Sequence, residues 1–192
     1  MTQDRQEPRD WELVARAQTG DQHAFTELVR RYERPVLHFC MRMVASYEDA
    51  EDIAQNCFVR LYRALPRLRE EAQFSTVLFG IARNLALNAL RDAKRSGRHH
   101  AAPLEDRPVA GSALDRPERQ ARVREIESTL EAAIADLSPE HREVLLLREV
   151  HGMDYEAIAR VLRCRKGTVR SRLARAREQL RRRLIELGGD EL

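Results

Sequence analysis

Between positions 163 and 183 the chain carries Arg163, Arg165, Lys166, Arg170, Arg172, Arg175, Arg177, Arg181, Arg182 and Arg183 against a single acid, Glu178. Such a dense cationic run suits the binding of a polyanion. At helical spacing Val169, Leu173, Ala176, Leu180 and Leu184 form an apolar stripe. Gly167, Ser171, Arg175, Glu178 and Arg182 lie opposite, with Thr168, Arg170 and Arg172 on the flanks. Guanidinium groups on such a helix can hold phosphates and pair with guanine O6 and N7 in a major groove. Lys166, Thr168, Arg170, Ser171, Arg172 and Arg175 are the candidates for that work. A second set, Asn84, Asn88, Arg91 and Arg95, recurs on one helical stripe. Amides there can read a base edge while cations hold the backbone. The third set is acidic: Glu48, Asp49, Glu51 and Asp52. The net charge of +3 hides this division into ends of opposite sign.

Other chemistries lack their residues. Cys40, Cys57 and Cys164 are far apart and odd in number, with no C-x-x-C pair, so neither a disulfide framework nor a structural zinc site is expected. They read as small buried apolar residues in a reducing cytoplasm. His99 and His100 stand without a Cys or carboxylate cluster, and no metal or cofactor is expected. The acids Glu48–Asp52 fall in a helix-start motif rather than a metal-site pattern, which speaks against a nucleic-acid enzyme. No apolar run approaches the roughly 20 residues of a membrane-spanning helix, and Met1–Asp10 is polar, unlike a secretory signal. A cytoplasmic protein without direct membrane insertion is the expectation.

The elements that must position these residues all read as helix. Gly20-Asp21 is a stop followed by an N-cap, and Phe25, Leu28, Val29 and Tyr32 follow at i, i+3, i+4 and i+7, with Pro35 as an interruption. Ser46-Tyr-Glu-Asp49 resembles a capping box and opens a helix expected to bury Ala50, Ile53, Ala54, Cys57, Phe58, Leu61, Tyr62 and Leu65, stopped by Pro66. After a charged loop, Arg67–Gln73, a helix carries Phe74, Val77, Leu78, Ile81, Leu85 and Ala89. From Ser96 to Pro117 the stripe lapses among Gly97, Pro103, Pro108, Gly111 and Pro117, a linker composition. The second half opens with a helix around Glu118–Asp136. Ser138-Pro139-Glu140 then starts another that ends at Gly152. Tyr155–Leu173 has the arithmetic of a helix-turn-helix: Asp154 as cap, Ile158, Ala159 and Leu162 inside, a turn at Arg163–Arg165, then Val169 and Leu173 packing back. An all-α chain of two small helical domains, 9–95 and 118–187, joined over 96–117 is expected. Each core is small, and partner binding would stabilise it.

Leu137–Leu184, LSPEHREVLLLREVHGMDYEAIARVLRCRKGTVRSRLARAREQLRRRL, closely resembles region 4 of bacterial sigma factors of the extracytoplasmic-function (ECF) group in the sigma-70 family. Trp11–Arg95 resembles region 2, above all in DAEDIAQNCFVRLYRAL and FSTVLFGIARNLALNALR. The resemblance implies an alternative sigma factor without a catalytic site. Such a factor binds core RNA polymerase (its beta and beta' subunits), recognises −35 and −10 promoter elements and initiates transcription of a specific regulon. An anti-sigma factor is the implied regulator.

Residue by residue, Asp52 and Gln55, with Asp49 and Asn56 beside them on the polar side of their helix, match the positions that dock on the polymerase clamp. Phe74, Ser75, Thr76 and Asn84, extended by Asn88, Arg91 and Arg95, match the part that handles the non-template −10 strand, and loop 67–73 matches the segment that receives a flipped base. Arg170, Ser171 and Arg175, within the set from Lys166 to Arg175, match −35 contacts. Departures from the family pattern are Val77 where Trp is frequent, Asn56 for an acid, Arg163 for Gly, Arg165 for Pro and Ala174 for a larger side chain. A free-standing helix-turn-helix repressor or activator would account for the C-terminal third and leave Asp52, Gln55 and the Asn84 stripe without a task.

Overall fold

A computed structural model of the chain describes residues 9–44, 46–96 and 117–187, with side chains from 122 in the last stretch. Every regular element among them is helical: α1 (Asp10–Gln18), α2 (Gln22–Val44), α3 (Tyr47–Ala64), a 3-10 turn (Leu65–Arg67), α4 (Phe74–Arg95), α5 (Pro117–Ala135), α6 (Pro139–Leu145) with a π-helical turn (Leu146–Val150), α7 (Tyr155–Leu162) and α8 (Lys166–Glu186). Apart from Ser96 and Pro117, the expected linker lies outside the described residues, as do His99 and His100.

Local chemistry sets most boundaries. Asp21 Oδ1 accepts the Ala24 N–H at 3.2 Å and opens α2, which runs unbroken through Pro35. The Ser46 hydroxyl accepts the Asp49 N–H at 3.3 Å, and Asp154 Oδ1 accepts from Glu156 and Ala157, both at 2.8 Å. Ser138 occupies the N-cap of α6 but gives no side-chain cap bond, so its role there falls to Pro139 at N1. Gly152 ends the π turn at φ +64.

The first half packs α1 to α4 into a bundle. Leu28, Val36, Phe39, Cys40 and Met43 of α2 are buried with Ala50, Cys57 and Leu61 of α3 and Leu78, Phe79, Ala82 and Ala86 of α4. Tyr62, expected inside, is 57% exposed, because it lies one position beyond Leu61 and rests edge-on against Phe25 at 5.0 Å. The Cys40 and Cys57 thiols are buried, and desolvation pushes both up to about 12, so they pack as apolar groups. In the second half Val144–Leu147, Ile158, Val161, Leu162, Val169, Leu173 and Ala176 form the centre, while Leu180 and Leu184 are half-buried.

These two centres are one. The buried residues from Leu13 to Ala176 form a continuous cluster, closed where α7 lies on α4 and where His151 stacks against Phe79 at 4.3 Å and meets Phe39 edge-on at 5.9 Å. Each half is too small to bury much surface alone. In this structure the partner of each half is the other half.

Candidate nucleic-acid interface

The helix-turn-helix is built around Arg163. Its backbone is left-handed (φ 51, ψ 47). The Cys164 N–H donates to the Ala159 carbonyl at 3.0 Å and the Arg163 N–H to that of Arg160 at 3.3 Å. This is a Schellman closure with Arg in the place glycine usually takes. It turns the chain so that Val169 and Leu173 face α7 and the opposite side of α8 faces outward. Arg165, in the position of the frequent proline, takes extended dihedrals (φ −74, ψ 148) as the N-cap of α8.

Ion pairs sort the arginines of α8. Arg177 is held by Glu149 at 2.5 Å, Arg183 by Asp136 and Glu186, and Arg181 and Arg182 stand near Glu178. Arg172, counted among the outward readers, instead points back to Glu140 at 3.0 Å and Glu143 at 3.7 Å, with its side chain 24% exposed. Its flank position puts it in reach of the acids of α6, so its charge is spent within the protein. Lys166, Arg170 and Arg175 have no ion pair among the described residues and are exposed with Ser171 and Ala174. Thr168 is half-buried. The free positive surface is therefore the N-terminal half of α8.

On α4, Asn84, Asn88, Arg91 and Arg95 are all exposed and share one stripe. The Arg91 guanidinium donates to Asn88 Oδ1 at 3.2 Å, and Arg95 pairs with Asp92 at 3.0 Å. The start of α4 departs from expectation. Phe74 is 2% exposed and meets Trp11 and Tyr32 edge-on at 6.1 and 5.3 Å. As the first residue of α4 it turns into the bundle, so it is a core aromatic and offers no ring to a base. Thr76 is also buried, and its hydroxyl has no hydrogen-bond partner among the described residues. Ser75 and Val77 are half-buried. Loop 68–73 is tied down at both ends: Trp11 Nε1 donates to the Ala72 carbonyl at 2.8 Å and Gln18 Nε2 to that of Leu68 at 3.1 Å.

The acidic face behaves as its spacing requires. Asp52, Gln55 and Asn56 are exposed on α3, while Asp49 is half-buried in the capped first turn. Val59 and Tyr62, 46% and 57% exposed, continue the stripe toward the C-terminus. The resulting surface is polar at one end and apolar at the other.

The residues that sequence reasoning missed lie between the halves. Arg142 is 8% exposed. It donates to the Arg42 and Met43 carbonyls at 3.3 and 2.8 Å and to those of Ala135 and Leu137, closing the ends of α2 and α5 together. A cation between two helix C-termini also answers both dipoles. Arg42 pairs with Glu131 at 2.5 Å. Arg83 grips Glu143 through two bonds, 2.7 and 3.1 Å. Arg160 donates to the Glu71 carbonyl at 3.1 Å. Arg83 stands next to Asn84 in sequence, but the buried Arg142-Glu143 pair sits inside what reads as a solvated charge pattern, and no periodicity separates the two cases.

Comparison with known proteins follows this geometry. Residues 28–96 match Sigma-70 region 2 and residues 128–180 match Sigma-70, region 4. The RNA polymerase sigma-H factor of Pseudomonas aeruginosa is 39% identical over 184 residues, covering 93% of this chain and 95% of that protein. The ECF RNA polymerase sigma-E factor of Escherichia coli K12 is 38% identical over 176 residues, 89% of this chain and 92% of that one. Among solved structures, CnrH in complex with the cytosolic domain of CnrY superposes with a TM-score of 0.67 at 26% identity over 92% of this chain and 97% of that one. The fold also matches the sigma factor RpoE from Bartonella quintana, solved with the anti-sigma factor NepR: TM-score 0.65 at 21% identity, over 83% of this chain and 96% of that one.

Proposed function

Because the chain belongs to the extracytoplasmic-function group of the sigma-70 family, an initiation factor and not an enzyme, we propose that it docks on core RNA polymerase through the α3 face, reads the −10 strand with α4 and the −35 duplex with α8. The division of labour runs over residues 9–95, 96–117 and 118–187. The observation that carries this reading is the coexistence of three separate exposed surfaces in one chain. These are Asp52, Gln55 and Asn56 on α3, the Asn84–Arg95 stripe on α4, and Lys166, Arg170 and Arg175 on α8, which have no ion pair among the described residues. A stand-alone DNA-binding protein needs only the last.

Each surface has a distinct physical task. Unpaired guanidiniums at the start of α8 reach phosphates and guanine edges in a duplex. Amides flanked by cations suit a single strand whose bases have left the stack, and extruding a base costs a few kcal/mol that such contacts offset. With Phe74 in the core and Val77 half-buried in the frequent tryptophan's place, strand capture at this end of α4 falls to polar groups. An anti-sigma factor is the proposed regulator, and a specific regulon the proposed output. The deciding experiment is a pull-down with core polymerase. Asp52→Ala with Gln55→Ala alters only exposed side chains, which costs about 0.5 kcal/mol or less in stability. The folded double variant is expected to lose core affinity. Unchanged affinity would remove α3 from the polymerase interface.

A further inference from the structure

We propose that Glu143 is an intramolecular stand-in for a DNA phosphate: by holding Arg83 of α4 across the two halves it keeps the free chain closed, and opening hands Arg83 to the backbone of the −10 strand. This rests on the reading of α4 and α8 as DNA-facing helices.

The geometry of the contact is that of an anion site. Glu143 is 1% exposed, its two oxygens take the Arg83 fork at 2.7 and 3.1 Å, and Arg172 approaches at 3.7 Å. Bidentate gripping by a guanidinium is shared by carboxylate and phosphate, so one can replace the other on Arg83. Burial pushes the Glu143 carboxyl above its ordinary value, and the pull of Arg83 and Arg172 offsets only part of that rise. Arg83 lies beside Asn84, the first residue of the exposed amide stripe, and its Nη1 already donates to Asn84 Oδ1 at 3.4 Å. Released from Glu143, it stands where a strand read by Asn84 would run.

Closure also engages the side of α4 that borders the −10 surface. Thr76, Phe79 and Arg83 follow at i, i+3 and i+7 on α4, and this stripe meets the second half through Phe79 on His151 and Arg83 on Glu143. Thr76, on the same side, is buried, and its hydroxyl has no hydrogen-bond partner among the described residues. Arg160 meanwhile holds the loop carbonyl of Glu71. The closed chain cannot act at a promoter in this form. Elements named −35 and −10 lie about 25 base pairs apart, roughly 85 Å at about 3.4 Å each, whereas a closed globule of this length is about 40 Å across. Beside the shared apolar cluster and the Phe39–Phe79–His151 stack, the halves are joined by charged and polar contacts of Arg42, Arg83, Arg142 and Arg160, which salt and competing anions can loosen.

Small-angle scattering of the full chain, beside fluorescence anisotropy with a short labelled oligothymidylate, tests this. The wild type is expected to be closed at low salt and to expand as salt rises. Glu143→Gln should expand it at low salt and tighten oligothymidylate binding about fivefold or more, the factor by which a closed majority masks the competent form. Arg83→Gln should expand it equally yet bind no more tightly than wild type, because the released cation is gone. If Glu143→Gln melts the second half, seen as lost helicity, Arg83→Gln, whose replacement lies outside that half, carries the scattering test. An expanded wild type at low salt, or unchanged dimensions in Arg83→Gln, overturns the proposal. Expansion with both variants binding DNA equally tightly refutes the role of Arg83 on the strand and leaves the docking reading, tested on polymerase, untouched.

Discussion

Arg163 offers the sharpest stability measurement. Replacing it by glycine keeps both Schellman hydrogen bonds, since they are made by backbone atoms of residues 159, 160, 163 and 164. A left-handed L-residue carries about 1–2 kcal/mol of steric cost, which glycine lacks. Glycine in turn loses more chain entropy on folding, about 0.5–1 kcal/mol. The difference favours Arg163→Gly by about 0.5–1 kcal/mol. For a chain of this length that raises the melting midpoint by roughly 1–4 °C. The reciprocal change, Gly152→Ala at φ +64, has open space around its Cβ and so isolates the same backbone cost with the opposite sign. Urea titrations followed by far-ultraviolet circular dichroism measure both. A midpoint that falls in Arg163→Gly, or that stays fixed in both variants, would refute the left-handed assignment of these turns and with it the angle at which α8 leaves α7.

Three further outcomes follow from the placement of side chains. Arg175→Ala should weaken binding to −35 duplex DNA while sparing transcription from a pre-melted −10 template; an arginine paired with a guanine contributes about 1–3 kcal/mol of discrimination, and equal loss on all −35 variants in gel shifts would make it a phosphate anchor. Arg172→Ala should instead lower stability, because it strips Glu140 and the buried Glu143 of a partner, and a duplex affinity loss as large as that of Arg175→Ala with an unchanged melt would contradict this. Asn84→Ala should permit closed-complex binding but impair opening, read by permanganate footprinting. A pH series probes the seam between halves. His151 is held down to about 4 by burial first and then by Arg42 and His38, while its unfolded value is near 6.5. The unfolded chain therefore takes up the proton first as pH falls. Stability is fully present above about 6.5 and declines, by at most about 1.4 kcal/mol per pH unit, down to about 4. His151→Phe should flatten that decline in urea midpoints.

Much of the architecture was legible in the chain because helices announce themselves locally. Capping groups at Asp21, Ser46 and Asp154, the stops at Pro66 and Gly152, and the stripes of α4 and α8 depend on neighbours within a turn or two. Family resemblance supplied the roles, and the comparisons bear out the sigma-70 assignment. Tyr62 lies about 100° round the helix from Leu61, which sits at the centre of the buried arc, so it falls at the arc's edge, where it rests against Phe25 and stays exposed.

The sequence by itself determined that this chain is helical, where most of its helices begin or end, and which stripes carry amides, acids and cations. All of these follow from short-range hydrogen bonding and periodicity. Only the tertiary structure decided which charges are free to act. Arg172 and Arg175 are alike in sequence, yet one is held by the acids of α6 and the other has no ion pair among the described residues. Phe74 and Thr76 open a helix in the same pattern as Asn84, yet both are buried, one against Trp11 and Tyr32 and the other on the stripe that meets the second half. Arg83 and Glu143, sixty residues apart, become a single ion pair. The physical reason is that a side chain's availability is set by what desolvates or neutralises it, and those groups come from elements distant in sequence, placed by packing that no local period encodes.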